Sequence, residues 1–121
     1  MRLPRKFSMN QRAEFARVRE RGESRPGRYL VVSVLRSDEL DHPRVGYITT
    51  KKVGKAHQRN LLRRRFRAIV QDCGDSIDPQ LYIVTIARWR AKEASYKDLE
   101  RDWLKQARKL GVFKQDRSVE V

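Results

Sequence analysis

Residues 44–67 read RVGYITTKKVGKAHQRNLLRRRFR, and the character of the chain changes within them. The first seven residues are rich in β-branched and aromatic side chains, which is typical of a strand. Three lysines and Gly54 follow at residues 51–55, and after them the apolar residues recur with the spacing of a helix. The sequence therefore predicts a strand that leads through a glycine-containing junction into a basic helix.

Positive charge is concentrated in the same stretch. Residues 51–67 contain eight Lys or Arg and no Asp or Glu, and the 121-residue chain has a net charge of +14 at pH 7. Residues 1–67 hold 19 Lys or Arg against six Asp or Glu, whereas residues 68–121 hold ten against nine. A concentrated basic block attracts a polyanion, so the expected partner is RNA, DNA or an anionic membrane surface.

The basic helix is predicted to have one buried side and one cationic side, because each residue turns by about 100°. The apolar arc consists of Leu62, Phe66, Ile69, Val70 and Cys73, and the neighbouring basic arc of Asn60, Arg63, Arg64 and Arg67. Arg59, Arg63 and Arg67 are four residues apart and therefore lie in a row along the helix. Their guanidinium groups can meet successive phosphates. The alternative is a solvated basic surface. However, like charges at this spacing repel, and the run contains no acid that relieves them.

The junction before this helix carries Lys51, Lys52 and Lys55 around Gly54. Backbone amides and the positive end of a helix favour a phosphate at such a place, although the glycine also suits a simple turn. The chain has no GxxxxGK[ST] pattern, so a nucleotide-binding loop is not predicted.

Other strands are predicted where β-branched and apolar residues cluster. Residues 28–35 and 44–50 are expected to pair antiparallel, with a short edge piece at residues 23–25. Residues 81–87, LYIVTIA, are almost entirely apolar, which indicates a central strand.

Two further helices are predicted from their capping residues. Ser8 and Gln11 have capping-box spacing, which places a first helix over residues 9–21. The final helix should follow Ser95 and end at Gly111.

The length suits a single domain over residues 1–121, with flexible tails at residues 1–8 and 112–121. The single cysteine cannot form an internal disulfide, and no apolar run approaches the roughly 20 residues of a membrane helix. The first ten residues, MRLPRKFSMN, lack the apolar centre of a secretory signal, so a cytoplasmic location is expected.

Catalytic and metal-binding patterns are not recognised in the sequence. His42 and His57 have no His or Cys partner at ligand spacing, so no metal site is predicted. No nucleophile elbow or isolated carboxylate pair marks a catalytic residue.

The central stretch resembles the signature segment of the bacterial ribonuclease P protein subunit. In that family an RVG strand leads through a KK, Gly and Lys-Ala junction into a helix with an arginine-rich RN motif, here Arg59 and Asn60. AEFARVRERG at residues 13–22 matches the family's first helix, and YIVTIARWRAKEASYKDLERDW at residues 82–103 matches its last strand, linker and helix. The resemblance covers nearly the whole chain.

This resemblance implies an α+β fold, a single two-layer domain of order αβββαβα with a mostly central sheet. The basic helix would be a crossover of the uncommon left hand. The resemblance also implies a chain that binds a catalytic RNA and aids the Mg²⁺-dependent endonucleolytic removal of the 5′ leader from precursor tRNA. The cleaving groups and the Mg²⁺ would belong to the complex and its RNA, and the protein alone would bind no cofactor. The implied partners are this RNA, precursor tRNA and other structured RNAs, with no membrane and no obligate protein partner.

The implied contacts to the catalytic RNA are Lys51, Lys52, Lys55, Arg59, Asn60, Arg63, Arg64, Arg65 and Arg67. The implied cleft for the leader lies between the first helix and the sheet. Its candidates are Phe15, Arg19, Tyr29, Val31 and Tyr47, since unstacked bases stack on aromatic faces. The alternative for each aromatic is a place in the core.

The sequence departs from the family's pattern in two ways. Leu61 follows Asn60 where relatives commonly have a basic residue, and Arg65 stands at a position that is often apolar. We therefore expect that the charge has moved one helical turn. Arg19 stands where many relatives have a second aromatic, so the cleft is expected to hold a leader more by charge.

The residues alone leave other functions open. A noncatalytic RNA-binding protein of the ribosomal or chaperone type would share the basic helix. A peripheral membrane protein is less favoured, because the basic helix carries no exposed apolar face with Trp anchors. A protein-only nuclease would have to cleave without RNA.

Overall fold

A computed structural model describes residue 4 and residues 7–114 of the chain. This part has the expected element order αβββαβα. The helices and strands are α1 (Arg12–Arg21), β1 (Glu23–Pro26), β2 (Leu30–Arg36), β3 (Arg44–Ile48), α2 (Ala56–Asp72), β4 (Leu81–Ala87) and α3 (Tyr96–Leu110). Short 3₁₀ helices, Lys51–Val53, Gly74–Ser76 and Trp89–Glu93, lie in the connections.

In the described part of the chain, the strands form one sheet in the order β1-β2-β4-β3. β4 pairs antiparallel with β2 and parallel with β3. The antiparallel pairing predicted between the strands at residues 28–35 and 44–50 is therefore wrong. β4 is almost entirely apolar, and its central position buries both of its faces. The parallel pair requires a long crossover connection, which α2 provides. The left hand implied for this crossover stays a prediction.

Side chains alternate across the strands, so the sheet has two apolar faces. One face lies beneath α2 and α3 and contributes to the main core, in which Leu30, Phe66 and Trp103 are fully buried. The opposite face packs against α1, where Val18 and Val84 are buried. The predicted two-layer arrangement thus describes the sheet with α2 and α3, and α1 adds a partial layer on the other side.

α1 begins at Arg12 and not at residue 9. Gln11 precedes its first turn, whereas Ser8 forms a parallel bridge with Val45. Ser8 thus pairs with the free edge of β3 and does not cap the helix. This pairing gives partners to backbone groups at the edge of the sheet that would otherwise lack them. The predicted start of this helix is therefore wrong.

Both predicted tails include residues that belong to the domain. Val112 is fully buried, and Phe113 forms a bridge with Ile77. Phe7 stacks on His42 with ring centroids 4.2 Å apart. The predicted tail boundaries are therefore wrong at these residues. The other parts of the predicted tails, at residues 1–3, 5–6 and 115–121, lie outside the described residues.

The predicted bounds of the final helix, α3, are confirmed. Asp98 N donates to Ser95 Oγ at 3.1 Å, and Gly111 ends the helix in the left-handed region with φ 72°. Within the described residues, no helix has the length and apolar character needed to cross a membrane.

Candidate nucleic-acid interface

Buried side chains fix the rotation of α2 about its axis. Leu62, Phe66, Ile69 and Val70 are all buried within the main core. Cys73 follows at the C-terminal cap and is half-buried, and this burial raises the pKa of its thiol. The apolar arc predicted for this helix is therefore confirmed, and the basic side chains of α2 face away from the core.

The side of α2 that faces β3 carries a row of basic side chains. We call this set the arginine row: Arg59, Arg63 and Arg67. Its first member donates Nη1 to Gly54 O at 2.8 Å, and its second donates Nη1 to Thr49 Oγ1 at 3.0 Å. The third places its guanidinium carbon 5.6 Å from the centre of the Tyr47 ring. Contacts with β3 and the connection after it therefore hold each guanidinium in place.

These contacts leave the arginine row uncompensated in charge. Arg63 also donates Nη2 to Asn60 Oδ1 at 2.6 Å, but each guanidinium has several N–H donors and keeps some of them free. Among the residues that the structure describes, no Asp or Glu forms an ion pair with the row. The protein thus positions three cations without neutralising them, an arrangement suited to phosphate groups.

The junction between β3 and α2 gathers the lysines. Gly54 has φ 145°, a conformation that other residues rarely adopt, which permits the sharp entry into α2. Val53 is buried and anchors the junction. The exposed cations beside it are Lys51, Lys52 and Lys55. They lie next to the N-terminus of α2, where the helix dipole adds positive potential.

Arg64 and Arg65 lie outside the arginine row. Arg64 is exposed, and Arg65 Nη1 donates to Ala94 O at 3.4 Å, in the connection before α3. Leu61, one turn before Arg65, is 39% exposed. The structure therefore places Arg65 on the flank of α2 that faces away from β3. That Arg65 supplies the positive charge that relatives commonly have at the position of Leu61 stays a prediction.

α1 and the sheet enclose a small groove of about 160 Å³. Its walls are formed by Phe15, Val18, Arg19, Ser24, Val31, Ser33, Ile48, Val84 and Ile86. Of the predicted cleft residues, Phe15, Arg19 and Val31 are thus brought together. Sequence reasoning misses Ser24 and Ser33, whose Oγ atoms lie 2.6 Å apart. Ser33 could have been predicted from the alternation of side chains along a strand, because it shares a face of β2 with Val31.

Two contacts hold α1 against β3. Arg44 donates Nε to Glu14 Oε2 and Nη2 to Glu14 Oε1, both at 2.9 Å. Burial alone would raise the pKa of Glu14, but Arg44 and neighbouring backbone amides outweigh it and lower the pKa. At Gly46 a Cβ atom would lie 2.5 Å from Phe15 Cε1, so glycine lets the Phe15 ring approach the strand. The RVG motif therefore shapes the groove.

Tyr29 and Tyr47 lie on the other side of the sheet. Since Gly46 faces Phe15, the next residue, Tyr47, faces α2. Tyr29 N donates to Asp102 Oδ2 on α3 at 2.8 Å, and its side chain packs against the main core. The predicted grouping of all five residues in one cleft is therefore wrong.

The environment of Tyr47 is largely apolar. Burial raises the pKa of Tyr47 to about 12, and the charge of Arg67 opposes this rise. The phenol therefore stays neutral at physiological pH, and Tyr47 supports Arg67 as an aromatic ring.

The two histidines have different surroundings, and His42 Nε2 lies 3.7 Å from Asp41 Oδ1. His57 is exposed, and His42 stacks on Phe7. In residue 4 and residues 7–114, no three His, Cys, Asp or Glu side chains form a group that could hold a metal ion.

Known proteins match this chain in sequence and in fold. The family model for Ribonuclease P matches residues 3–111. The ribonuclease P protein component of Syntrophomonas wolfei subsp. wolfei is 32% identical over 111 residues, which is 92% of each chain. The component from Geobacillus sp. is 33% identical over 114 residues, which is 94% of this chain and 98% of the relative.

Two solved structures have the same fold. The RNase P protein from Staphylococcus aureus superposes with a TM-score of 0.83 and 28% identity, over 89% of this chain and 98% of that one. The RNase P protein from Thermotoga maritima superposes with a TM-score of 0.72 and 26% identity, over 81% of this chain and 92% of that one. With its sequence matches, its α+β fold and its RVG strand and basic helix, the chain belongs to the ribonuclease P protein family.

Proposed function

We propose that this chain is the protein subunit of a ribonuclease P ribonucleoprotein in the cytoplasm. In this role it binds the catalytic RNA and holds the 5′ leader of precursor tRNA, and thereby aids removal of the leader. The arginine row carries the proposal, because α2 presents it without a carboxylate partner in the described residues. Membership of the ribonuclease P protein family supports the same role.

The surface for the catalytic RNA combines the arginine row with the junction and the exposed face of α2. Its members are Lys51, Lys52, Lys55, Arg59, Asn60, Arg63, Arg64, Arg65 and Arg67. Four residues of α-helix rise by about 6 Å, so the arginine row spreads three cations along the helix for successive phosphates. Asn60 has a positioning role here, because its Oδ1 accepts a hydrogen bond from Arg63.

The groove between α1 and the sheet is the proposed site for the leader. Phe15 offers an aromatic ring and Val31 an apolar wall, and base stacking on an aromatic ring contributes about 1–3 kcal/mol per base. Arg19 is exposed at the groove and supplies a cation for the leader's phosphates. Stacking tolerates different bases, so one groove can serve many precursor tRNAs.

The cleavage chemistry is assigned to the RNA partner. The described residues bring together no group of three metal-binding side chains, so no step is assigned to a metal on this chain. The Mg²⁺ that the complex requires is proposed to bind RNA phosphates, which are the hard oxygen ligands it prefers. The contribution of this chain is to bind and orient the two RNAs.

Reconstitution tests the proposal. Added to a bacterial ribonuclease P RNA at low Mg²⁺, the chain should restore release of the 5′ leader from a precursor tRNA. The double variant Arg59→Gln/Arg63→Gln should lose most of this effect. Arg101→Gln/Lys105→Gln removes the same charge from exposed positions of α3 and should keep it.

The other outcomes separate the alternative functions. Binding to RNA without any effect on cleavage would favour a noncatalytic RNA-binding protein of the ribosomal or chaperone type. Cleavage by the chain without RNA would reveal a protein-only nuclease.

A further inference from the structure

Trp89 is exposed on the surface, unlike the other tryptophan of the chain. It is 54% exposed, and only Leu61 joins it among the large hydrophobic residues exposed in the described part of the chain. Trp103, by contrast, is fully buried. An exposed indole is accessible to a partner outside the chain, and it offers such a partner a large apolar ring.

The segment that carries Trp89 is firmly attached to the domain. Arg88 N donates to Tyr29 O at 2.9 Å, and Arg88 Nη1 donates to Gly27 O at 2.7 Å. On the other side of Trp89, Ala91 is fully buried. The indole therefore projects from an anchored 3₁₀ helix, and a ligand that binds it does not have to order the segment first.

Arg90 adds a cation to the indole. Its guanidinium carbon lies 4.8 Å from the centre of the Trp89 ring, within the range of a cation–π contact. Both side chains are exposed. An aromatic ring beside a guanidinium presents the two groups that an unpaired nucleotide binds, the ring for the base and the cation for its phosphate.

The fold brings this pair to the junction lysines. β3 and β4 are parallel neighbours, so the segments that follow them leave the sheet at the same end. The 3₁₀ helix Trp89–Glu93 contacts the 3₁₀ helix Lys51–Val53. Arg65, which donates to Ala94 O, connects the same segment to α2. Trp89 thus continues the cationic surface that begins at the lysines.

We propose that Trp89 and Arg90 form a binding site for one unpaired nucleotide of an RNA partner, with the base stacked on the indole and the phosphate on the guanidinium. This inference rests on the proposed function, because that function supplies the RNA. The nucleotide belongs either to the catalytic RNA or to the precursor, and the chemistry of recognition is the same for both.

Tryptophan emission tests the site directly. Trp103 is buried in the core and serves as a constant background, so a base that stacks on Trp89 should quench the emission of the exposed indole alone. The probes are a ribonuclease P RNA transcript, a precursor tRNA and the same tRNA without its leader. Quenching by the transcript alone assigns the nucleotide to the catalytic RNA. Quenching that requires the leader assigns it to the substrate, and either result supports the site.

Substitution separates stacking from charge. Trp89→Leu should weaken RNA binding by about 5- to 100-fold without changing its salt dependence, because it removes a stacking partner and no cation. Trp89→Phe keeps a ring and should retain most of the affinity. Arg90→Gln should make the slope of log affinity against log salt shallower by about 0.7–0.9. Equal affinity of Trp89→Leu and the unchanged chain would overturn the site, as would equal losses in the leucine and phenylalanine variants.

Two further results keep this inference distinct from the proposed function. If the unchanged chain binds no ribonuclease P RNA, the proposed function fails and the site fails with it. If it binds RNA and restores cleavage but Trp89 is not quenched, only the site fails. A blue shift of Trp89 emission on anionic phospholipid vesicles, with no quenching by RNA, would assign Trp89 to a membrane and overturn the RNA site.

Discussion

Arg67 lies over Tyr47, with its guanidinium carbon 5.6 Å from the centre of the ring. The neighbouring residue on β3, Gly46, faces Phe15 on the opposite side of the sheet. One strand therefore supports the arginine row with one face and shapes the proposed leader groove with the other. A shift of β3 would change both surfaces together, because consecutive side chains of a strand are fixed to one backbone.

The ring of Tyr47 is expected to matter more than its hydroxyl. Tyr47→Leu should weaken binding to ribonuclease P RNA by about 2- to 5-fold, because the exposed guanidinium of Arg67 loses a cation–π contact that contributes about 0.5–1 kcal/mol. Tyr47→Phe keeps the ring under Arg67 and should bind like the unchanged chain. Fluorescence anisotropy with labelled RNA measures both. A similar loss in the two variants would show that the hydroxyl, and not the ring, supports the interface.

Salt is expected to weaken RNA binding steeply. If about five cations meet phosphates, the slope of log affinity against log salt should be about −3.5 to −4.5. Arg63→Gln should make this slope shallower by about 0.7–0.9, because one phosphate contact is lost. A potassium titration at constant Mg²⁺ measures the slope.

The control for this prediction is Arg101→Gln, which removes the same charge from an exposed position on α3. Its slope should equal that of the unchanged chain. Equal changes in the two variants would mean that net charge sets the affinity and that the arginine row has no special position.

Local signals were sufficient to predict α2 and α3. The buried residues of α2 and the cap of α3 at Ser95 depend only on the spacing of residues within one helix. This spacing can be read directly from the sequence. The arginine row follows from the same periodicity. Its contacts with Gly54 and Thr49 do not, because they depend on how α2 packs against β3.

Pairing between distant segments was not predictable from local signals. The turn formers between β2 and β3 favour a hairpin, yet β4 lies between these strands because its apolar side chains gain more from a central position. The same limit applies to Tyr47. An aromatic residue on a strand is recognised easily, but the sequence alone does not show whether it faces α1 or α2.

The ion pair between Glu14 and Arg44 is expected to make stability depend on pH. The folded chain lowers the pKa of Glu14 from its usual value of 4.5, so the unfolded chain binds a proton at a higher pH than the folded chain does. The stabilisation is therefore present above about pH 4.5 and is lost as the pH falls through the folded pKa. Glu14→Gln should lower the melting temperature at pH 7, and the difference from the unchanged chain should shrink in acid.

Thermal melts between pH 3 and 7 measure this difference. The control is Glu20→Gln, which changes an exposed carboxylate on the same helix and should leave the melting temperature nearly unchanged. A difference for Glu14→Gln that stays constant over this range would contradict the role of the ion pair.

The hydrogen bond between Trp103 and Thr85 joins α3 to the centre of the sheet. Trp103 Nε1 donates to Thr85 Oγ1 at 2.9 Å, and both residues are fully buried. Thr85→Val keeps a similar shape but leaves the indole N–H without a partner, which should lower the free energy of unfolding by about 1–3 kcal/mol. Urea denaturation measures the change. In a Trp103→Phe background the same substitution should cost much less, because phenylalanine has no N–H to satisfy. An equal cost in both backgrounds would show that the lost hydroxyl acts through packing and not through this hydrogen bond.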